Sequence, residues 1–356
     1  MEEDSMGKLK LAVIFGGMST EHDVSIVSGA SVLNNLDKEK YEIYPIYIDK
    51  NGKWYKYIGN IEDLAKLHVG DEISNIEKIE NPIEYLKKCD IAFPVLHGLY
   101  GEDGTIQGLL ELLKIEYVGC KVLASSVAMD KAYAKIIFEK AGLNQANYVY
   151  IHKSDDKYEY IDNNFNAYSM TIDEIVKKVA NTLKLPVFVK PSNSGSSVGI
   201  TKATTEKELK EAICYAGQFD NKIVIEEQII GQEVECAVLG NREVIASRVG
   251  EIKSAESYYT FDAKYNNAES RTLIPAEIPS EIEEKIRIQA IKAFKAIDGN
   301  GLSRVDFFVG NNGEIYINEI NTMPGFTQIS MYPKLFEAAG VSYKELLDRL
   351  IELAQK

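Results

Sequence analysis

The stretch "LSRVDFFVGNNGEIYINEIN", residues 302–321, reads as two strands joined by a turn rich in Asn and Gly. Side chains alternate across a strand, so Arg304, Asp306 and Phe308 share one face, and Glu319 and Asn321 share a face of the next strand. If Asn311 and Asn312 make a two-residue turn, Gly310 pairs with Gly313, Arg304 with Glu319, and Leu302 with Asn321. All four polar groups then point the same way, and a one-residue slip would put the pairs on opposite faces. Two carboxylates, a carboxamide and a guanidinium are costly to bury without a partner. The plain alternative is a surface hairpin with a salt bridge, but "YINEINTMPG" (316–325) sets the polar pair inside an apolar strand. Asp, Glu and Asn oxygens suit Mg²⁺, a hard ion that also takes phosphate oxygens.

Outward from the hairpin, lysines supply the charge that it lacks. Lys190 ends the apolar run "LPVFV" and enters "KPSNSGSSVG" (190–199), where an ammonium and loop N–H groups can neutralise and wrap phosphate. Neither GxxxxGK[ST] nor GxGxxG is present, so the loop alone does not define a nucleotide site. Lys131 lies on the helix read over 124–141, where a lone lysine is ordinarily solvated. "KIVIEEQI" carries Glu226 and Glu227, and Glu233 follows. Such carboxylates can accept from ribose hydroxyls, although acidic pairs are common on surfaces.

The first third alternates strands ("LKLAVIF", "YEIYPIYI", "DIAFPVL") with helices ("SIVSGASVLNNL", "PIEYLKKC", "TIQGLLELLK"). That order implies a parallel sheet covered on both faces, with ligand loops at the strand C-termini after "LAVIF" and "IAFPVL". Mixed αβ lobes follow, giving an α/β chain with expected divisions at 1–123, 124–219 and 220–356. "HKSDDKYEYIDNNFNAY" (152–168) reads as a surface hairpin or excursion, and 253–271 as a long aromatic-rich segment between solvent loop and functional cover.

Composition narrows the partners. The 356 residues are 45% hydrophobic and 26% charged, enough for a substantial core. Lys and Arg total 40 against 54 Asp and Glu, a net charge of −14, which argues against a general nucleic-acid or anionic-membrane surface. The four cysteines are widely spaced without CxxC, so buried free thiols in a reducing compartment are expected. No apolar run approaches the about 18 residues of a membrane span. "MEEDSMGKLK" places acids where an export signal would be basic, so a cytoplasmic protein is expected.

Taken in order, "VIFGGMSTEHDVS", "FPVLHGLYGEDGTIQG", "YVG", "MDK", "VKPSNSGSSVGI", "VIEEQIIGQEVECAVLG", "SRVDFF" and "INEINTMPGFTQISMYP" resemble the D-alanine–D-alanine ligase family, of the ATP-grasp fold. The resemblance covers essentially the whole chain. It implies that Lys131 and Lys190 contact ATP phosphates beside the Ser196–Ser197 loop. Glu226, Glu227 and Ile229 would meet the adenine, and Glu233 the ribose. Asp306, Glu319 and Asn321 would hold two Mg²⁺ ions, or Mn²⁺ in their place, with Glu319 bridging. Glu21 would receive the first D-alanine's ammonium, with His97 near that substrate. Ser196 would bond to Glu21 and to Tyr265 of "AKY", which makes 253–271 a lid that keeps water from an acyl phosphate. Arg304 would stabilise a tetrahedral intermediate. Backbone N–H near Gly325 and the Ser330 hydroxyl would receive the second substrate, beside Met331. Relatives are commonly homodimers, so a homodimer is expected.

The implied reaction joins two D-alanines at the expense of ATP for peptidoglycan precursors; D-serine as second substrate is the alternative. Tyr265 stands where the D-lactate-forming enzymes carry histidine, which disfavours D-lactate. Met331 is closer to the apolar Leu of D-alanine ligases than to the Arg of the D-serine type, a preference worth a few kcal/mol at most. One departure is Glu226–Glu227, where many relatives have "EK". A non-catalytic binding module and a biotin-carboxylase-like enzyme are the rivals from other classes; the acidic hairpin opposes the first and the ordered motifs the second.

Overall fold

The structure is a computed structural model that describes residues 7–155, 157–253 and 271–355; Tyr265 and nearly all of the expected lid lie outside the described residues. The described residues are built on three sheets. In the first, the strand order is Ile76–Lys78, Trp54–Tyr57, Tyr41–Ile48, Leu9–Gly16, Ile91–Pro94, Glu116–Tyr117. The last four of these run parallel, and the first two are added antiparallel, so the expected parallel sheet has a two-strand antiparallel edge. Strand alternation explains its double cover: Leu11, Val13 and Phe15 enter the core shared with helices His22–Asn35 and Tyr343–Ala354, while Ala12 and Ile14 pack with Leu86, Ile106 and Leu110. The chain's last helix thus returns to its first sheet.

The second sheet runs Thr201–Ala203, Val187–Pro191, Lys222–Glu227, Tyr148–Ser154, Lys157–Ile161, Ala167–Met170, antiparallel throughout. The polar stretch 152–168 is therefore a hairpin on this sheet's edge. Helices Ile172–Thr182 and Glu206–Ala216 cover one face; the former starts in a capping box of Thr171 and Glu174. The third sheet, Arg271–Leu273, Val244–Lys253, Gly231–Gly240, Leu302–Gly310, Ile315–Asn321, is also antiparallel and is backed by helix Ser280–Ala296.

The hairpin of 302–321 keeps its expected face by a different register. Gly310 N–H bonds to Glu314 O and Gly313 N–H to Gly310 O, both at 2.8 Å, with Gly313 at φ +79°. That is a three-residue loop ending in a left-handed glycine, not a two-residue turn. The pairing shifts by one, to Val309 with Ile315, and uncorrected it would send Glu319 to the other side. A bulge at Asn318 shifts it once more, so Asp306 pairs with Glu319 and Arg304 with Asn321. The pairs Arg304–Glu319 and Leu302–Asn321 are thus corrected, while the gathering of the four polar groups holds.

The helix expected over 124–141 is two helices, Val122–Met129 and Lys131–Lys140. Asp130 breaks them, because its side chain caps the second by accepting from Ala132 N–H at 3.1 Å and Tyr133 N–H at 3.2 Å. Three cysteines are buried as expected, but Cys214 is exposed.

Candidate active site

A cavity of about 670 Å³ opens between the second and third sheets and is closed at one end by loops of the first. Every predicted site residue lines it except Asp306, which lies beneath Arg304, and Tyr265, outside the described residues, although Glu227 borders it with its carboxylate turned away.

Its second-sheet wall follows from alternation. Val187, Val189, Ile223 and Ile225 point into the lobe's own core, which turns Phe188, Lys190 and Glu226 to the cavity. Glu226 is 5% exposed and lies between two lysines: Lys190 on one oxygen and Lys135, at 2.6 Å, on the other. Burial alone would raise this carboxyl, yet Lys135 and then Lys190 hold it down to about 2. Burial pushes the Lys135 ammonium down against that pull. Glu227 faces the other way, accepting from Lys184 N–H at 2.7 Å and Asn147 Nδ2 at 2.9 Å. The acidic pair thus splits: one carboxylate braces loops, the other neutralises lysines.

Lys131 owes its position to Asp130. That carboxylate caps the helix, accepts from Ser192 Oγ at 2.7 Å and pairs with Lys222 at 2.5 Å, which seats the helix start on the 190–199 loop. Lys131 N–H then reaches Ser192 O at 3.1 Å and its ammonium donates to Ser194 O at 2.6 Å. Burial lowers the Lys131 pKa. Ser196 and Ser197, at φ +47° and +60°, are consecutive left-handed residues, a strain that accompanies functional loops. The Ser196 hydroxyl donates to Glu21, and a Cβ at Gly195 would run into that carboxylate, so glycine lets the loop approach it without displacing it.

On the third sheet, Asp306 lies opposite Glu235 on one side and Glu319 on the other. Arg304 forks onto Asp306 through Nε and Nη2, each at 2.7 Å, and its Nε is 3.1 Å from Glu235. Asn321 Nδ2 donates to Asp306 at 3.1 Å. The bulge residue Asn318 turns its carboxamide to Lys190 at 3.4 Å, so one irregularity serves both walls. The donors are all oxygens, which fits Mg²⁺ or Mn²⁺. Among the described residues no three His, Cys, Asp or Glu converge as a closed metal cluster. Glu319 and Asn321 line the cavity while Asp306 gives both its oxygens to Arg304, so phosphate oxygens and water would have to complete the coordination.

At the closed end, Glu21 is 9% exposed at the start of helix His22–Asn35. Gly325 and Ser330 lie together across the cavity: a Cβ at Gly325 would sit 2.7 Å from Ser330 Oγ, which accepts Thr327 N–H at 3.0 Å. Met331 is 7% exposed, packed with the core of Tyr332 and Leu335. His97 is buried with both ring nitrogens engaged, by Met323 O at 3.0 Å and Ser28 Oγ at 2.9 Å. Burial lowers its pKa and keeps it neutral.

Lys135, Glu102, Glu235 and Ser28 line or support the cavity but were not singled out from sequence. Lys135 follows Lys131 by four residues and Glu235 follows Glu233 by two, the helix and strand spacings of a shared face. Those intervals were the available signal.

Two sheets enclosing a nucleotide-sized cavity, with lysines on one and an acidic hairpin on the other, define the ATP-grasp fold. Family models described as "D-ala D-ala ligase N-terminus" and "D-ala D-ala ligase C-terminus" match residues 10–120 and 137–352. The D-alanine–D-alanine ligase of Acetivibrio thermocellus is 49% identical, over 98% of this chain and 96% of that one. Among solved structures, the VanG D-Ala:D-Ser ligase of Enterococcus faecalis aligns with a TM-score of 0.84 at 37% identity, over 98% of this chain and all of its own. The D-alanine–D-alanine ligase of Coxiella burnetii gives 0.80 at 34%, over 98% and 94%. The chain belongs to the D-alanine–D-alanine ligase family.

Proposed function

We propose that the protein is an ATP-dependent ligase that joins two D-alanines into D-alanyl-D-alanine, releasing ADP and phosphate, for peptidoglycan precursors. The observation that carries this is the facing of Lys131 and Lys190 by Glu319 and Asn321 across one cavity whose far end holds Glu21, Gly325 and Ser330.

In this reading Lys131 and Lys190 bind the phosphates beside Ser196 and Ser197. The segment Glu226 to Ile229 borders the adenine, with Glu226 keeping Lys190 in place. Glu233 binds the ribose. Asp306, Glu319 and Asn321 are the residues that would hold two Mg²⁺ or Mn²⁺ ions, which would neutralise charge spreading over the transferring phosphoryl group. Glu21 takes the first ammonium and aims that carboxylate at the γ-phosphoryl group. Its oxygen forms a bond to phosphorus as the bond to ADP breaks, giving an acyl phosphate. The second amine, held near Gly325 and Ser330, attacks the carbonyl after losing a proton, and phosphate leaves. Arg304, held by Asp306 and Glu235 through Nε and Nη2, offers its remaining guanidinium N–H groups to the developing oxyanion. Tyr265, with the 253–271 segment, covers the site. The three divisions at 1–123, 124–219 and 220–356, a cytoplasmic location and a homodimer belong to the same reading. Among the described residues no helix is long and apolar enough to cross a membrane.

The likeness to VanG keeps D-serine as the second reading for the second subsite. One assay decides: release of phosphate with ATP, Mg²⁺ and D-alanine, then with equal D-serine or D-lactate added, and mass identification of the product. D-alanyl-D-alanine as the main product is expected. No phosphate above background with D-alanine overturns the reading, and a dominant D-alanyl-D-serine moves it to the alternative.

A further inference from the structure

Glu21 heads helix His22–Asn35, and the loop after Asn321 is tied to that same helix. His97 Nδ1 faces the Met323 carbonyl, which can only accept, so Nδ1 carries the proton. Nε2 is then the acceptor, and the Ser28 hydroxyl donates to it. Ser28 Oγ in turn accepts Phe326 N–H at 3.2 Å. Glu102 grips the other end of Met323: one oxygen accepts Met323 N–H at 3.3 Å, the other Gly98 N–H at 2.7 Å. One turn of helix beyond Ser28, Ser31 donates to Tyr343 OH at 3.2 Å, and Tyr343 donates to Phe326 O at 2.6 Å. Ser19 closes the circuit, donating to His97 O at 2.6 Å and accepting Glu21 N–H at 3.1 Å.

We propose that His97, Ser28 and Glu102 are positioning residues that fix the separation between the ammonium site at Glu21 and the second amino-acid site at Gly325 and Ser330. The inference rests on the ligase reading above. Both ring nitrogens of His97 are occupied by protein groups, so the ring offers substrate no free nitrogen and acts through Met323. Met323 and Phe326 flank Gly325, and Thr327 passes the constraint to Ser330 through its N–H. The centre of the path is buried, with Ser28 and Phe326 fully enclosed and Met323 and His97 3% and 4% exposed, while Glu102 and Ser330 are half-buried at the cavity. At that buried centre water offers no ready substitute for a lost hydrogen bond. The spacing is chemically critical, because the second amine must approach the first carbonyl to about 3–3.5 Å, and a misplacement of about 1 Å is worth roughly a hundredfold in rate.

The test uses the full chain with ATP, Mg²⁺ and D-alanine, and reads the KM of each D-alanine and the ratio of phosphate released to dipeptide formed. His97→Gln reaches toward Ser28 but loses Met323; His97→Asn places Nδ2 where Nδ1 stood. His97→Gln and Ser28→Ala are expected to raise the second-site KM about tenfold, with the first-site and ATP KM changed less than about twofold. They also release phosphate in excess of dipeptide, because an acyl phosphate left waiting is hydrolysed. His97→Asn restores the ratio. Unchanged second-site KM and ratio in His97→Gln and Ser28→Ala, or a His97→Asn no better than His97→Gln, overturns the proposal. If the His97 variants fail to fold, Ser28→Ala and Tyr343→Phe carry the same readout. A wild-type chain that makes no dipeptide overturns the ligase reading instead, so the two failures are distinct.

Discussion

Replacing Lys135 with Met removes one of the two cations that hold the buried Glu226. In the native protein each Glu226 oxygen has its own lysine, and the three side chains are only 4%, 7% and 12% exposed. After the substitution Glu226 keeps Lys190, so the direct loss is one charge-assisted hydrogen bond, about 1.5–3 kcal/mol of stability. The larger consequence concerns ATP. With Lys135 present, Lys190 can turn toward phosphate while Glu226 remains paired. Without it, the same movement strips a buried carboxylate of its last cation, a loss on the scale of about 3–5 kcal/mol, part of which protonation of Glu226 relieves. A net penalty of about 2 kcal/mol corresponds to roughly thirtyfold weaker ATP binding. Calorimetric titration with a non-hydrolysable ATP analogue measures this, and the KM values for D-alanine serve as the control. The expected result is a selective loss of nucleotide affinity that Lys135→Arg partly restores. Unchanged affinity in Lys135→Met, or an equal rise in every KM, would refute the division of labour between the two lysines.

Three further outcomes are expected. Burial, and then the Glu21 charge, push the Glu102 carboxyl up to about 8, opposed by the Gly98 and Met323 N–H bonds and by Arg304. The native state then holds a proton that the unfolded chain releases near its ordinary 4.5, so this group's stabilising contribution is full below that value and lost as pH rises toward about 8. Glu102→Gln should flatten the fall in urea midpoint over that window; parallel pH profiles for wild type and variant would contradict it. Burial pushes the Cys89, Cys120 and Cys236 thiols up to about 12 while Cys214 is exposed, so a maleimide should label Cys214 alone in the native protein. Rapid labelling of more than one site, read by peptide mass, contradicts the burial. Glu319→Ala should abolish turnover and Mg²⁺-dependent ATP binding while leaving the thermal transition intact; normal turnover rules out the metal assignment.

How much of this was legible in the sequence depended on how local the signal is. Alternation in 302–321 grouped Arg304 with Asp306 and Glu319 with Asn321, whereas bringing both pairs to one face rested on an assumed two-residue turn, and two compensating irregularities preserved that outcome. The register was missed because a left-handed Gly313 and the bulge at Asn318 each add one residue, and nothing in "GNNGEIYIN" separates two compensating irregularities from none. The break at Asp130 was hidden because periodicity continues through "MDKAY", whereas an N-cap competes locally with the helix and wins only when Ser192 and Lys222 fix it from afar. Lys135 and Glu102 have the same character. Their partners, Glu226 and Met323, stand 91 and 221 residues away in sequence, so their burial is a property of the assembled lobes. His97 shows the converse case: its motif marked it as a site residue, and only the fold reveals that both nitrogens are committed to protein.

The central claim, that the first carboxylate is phosphorylated before the peptide bond forms, is tested most directly by following an oxygen atom. D-Alanine labelled with heavy oxygen in its carboxylate is turned over with ATP and Mg²⁺, and the released phosphate is analysed by mass. The expected result is one heavy oxygen per phosphate, carried from the carboxylate through the acyl phosphate. Unlabelled phosphate alongside newly formed dipeptide would contradict the mechanism.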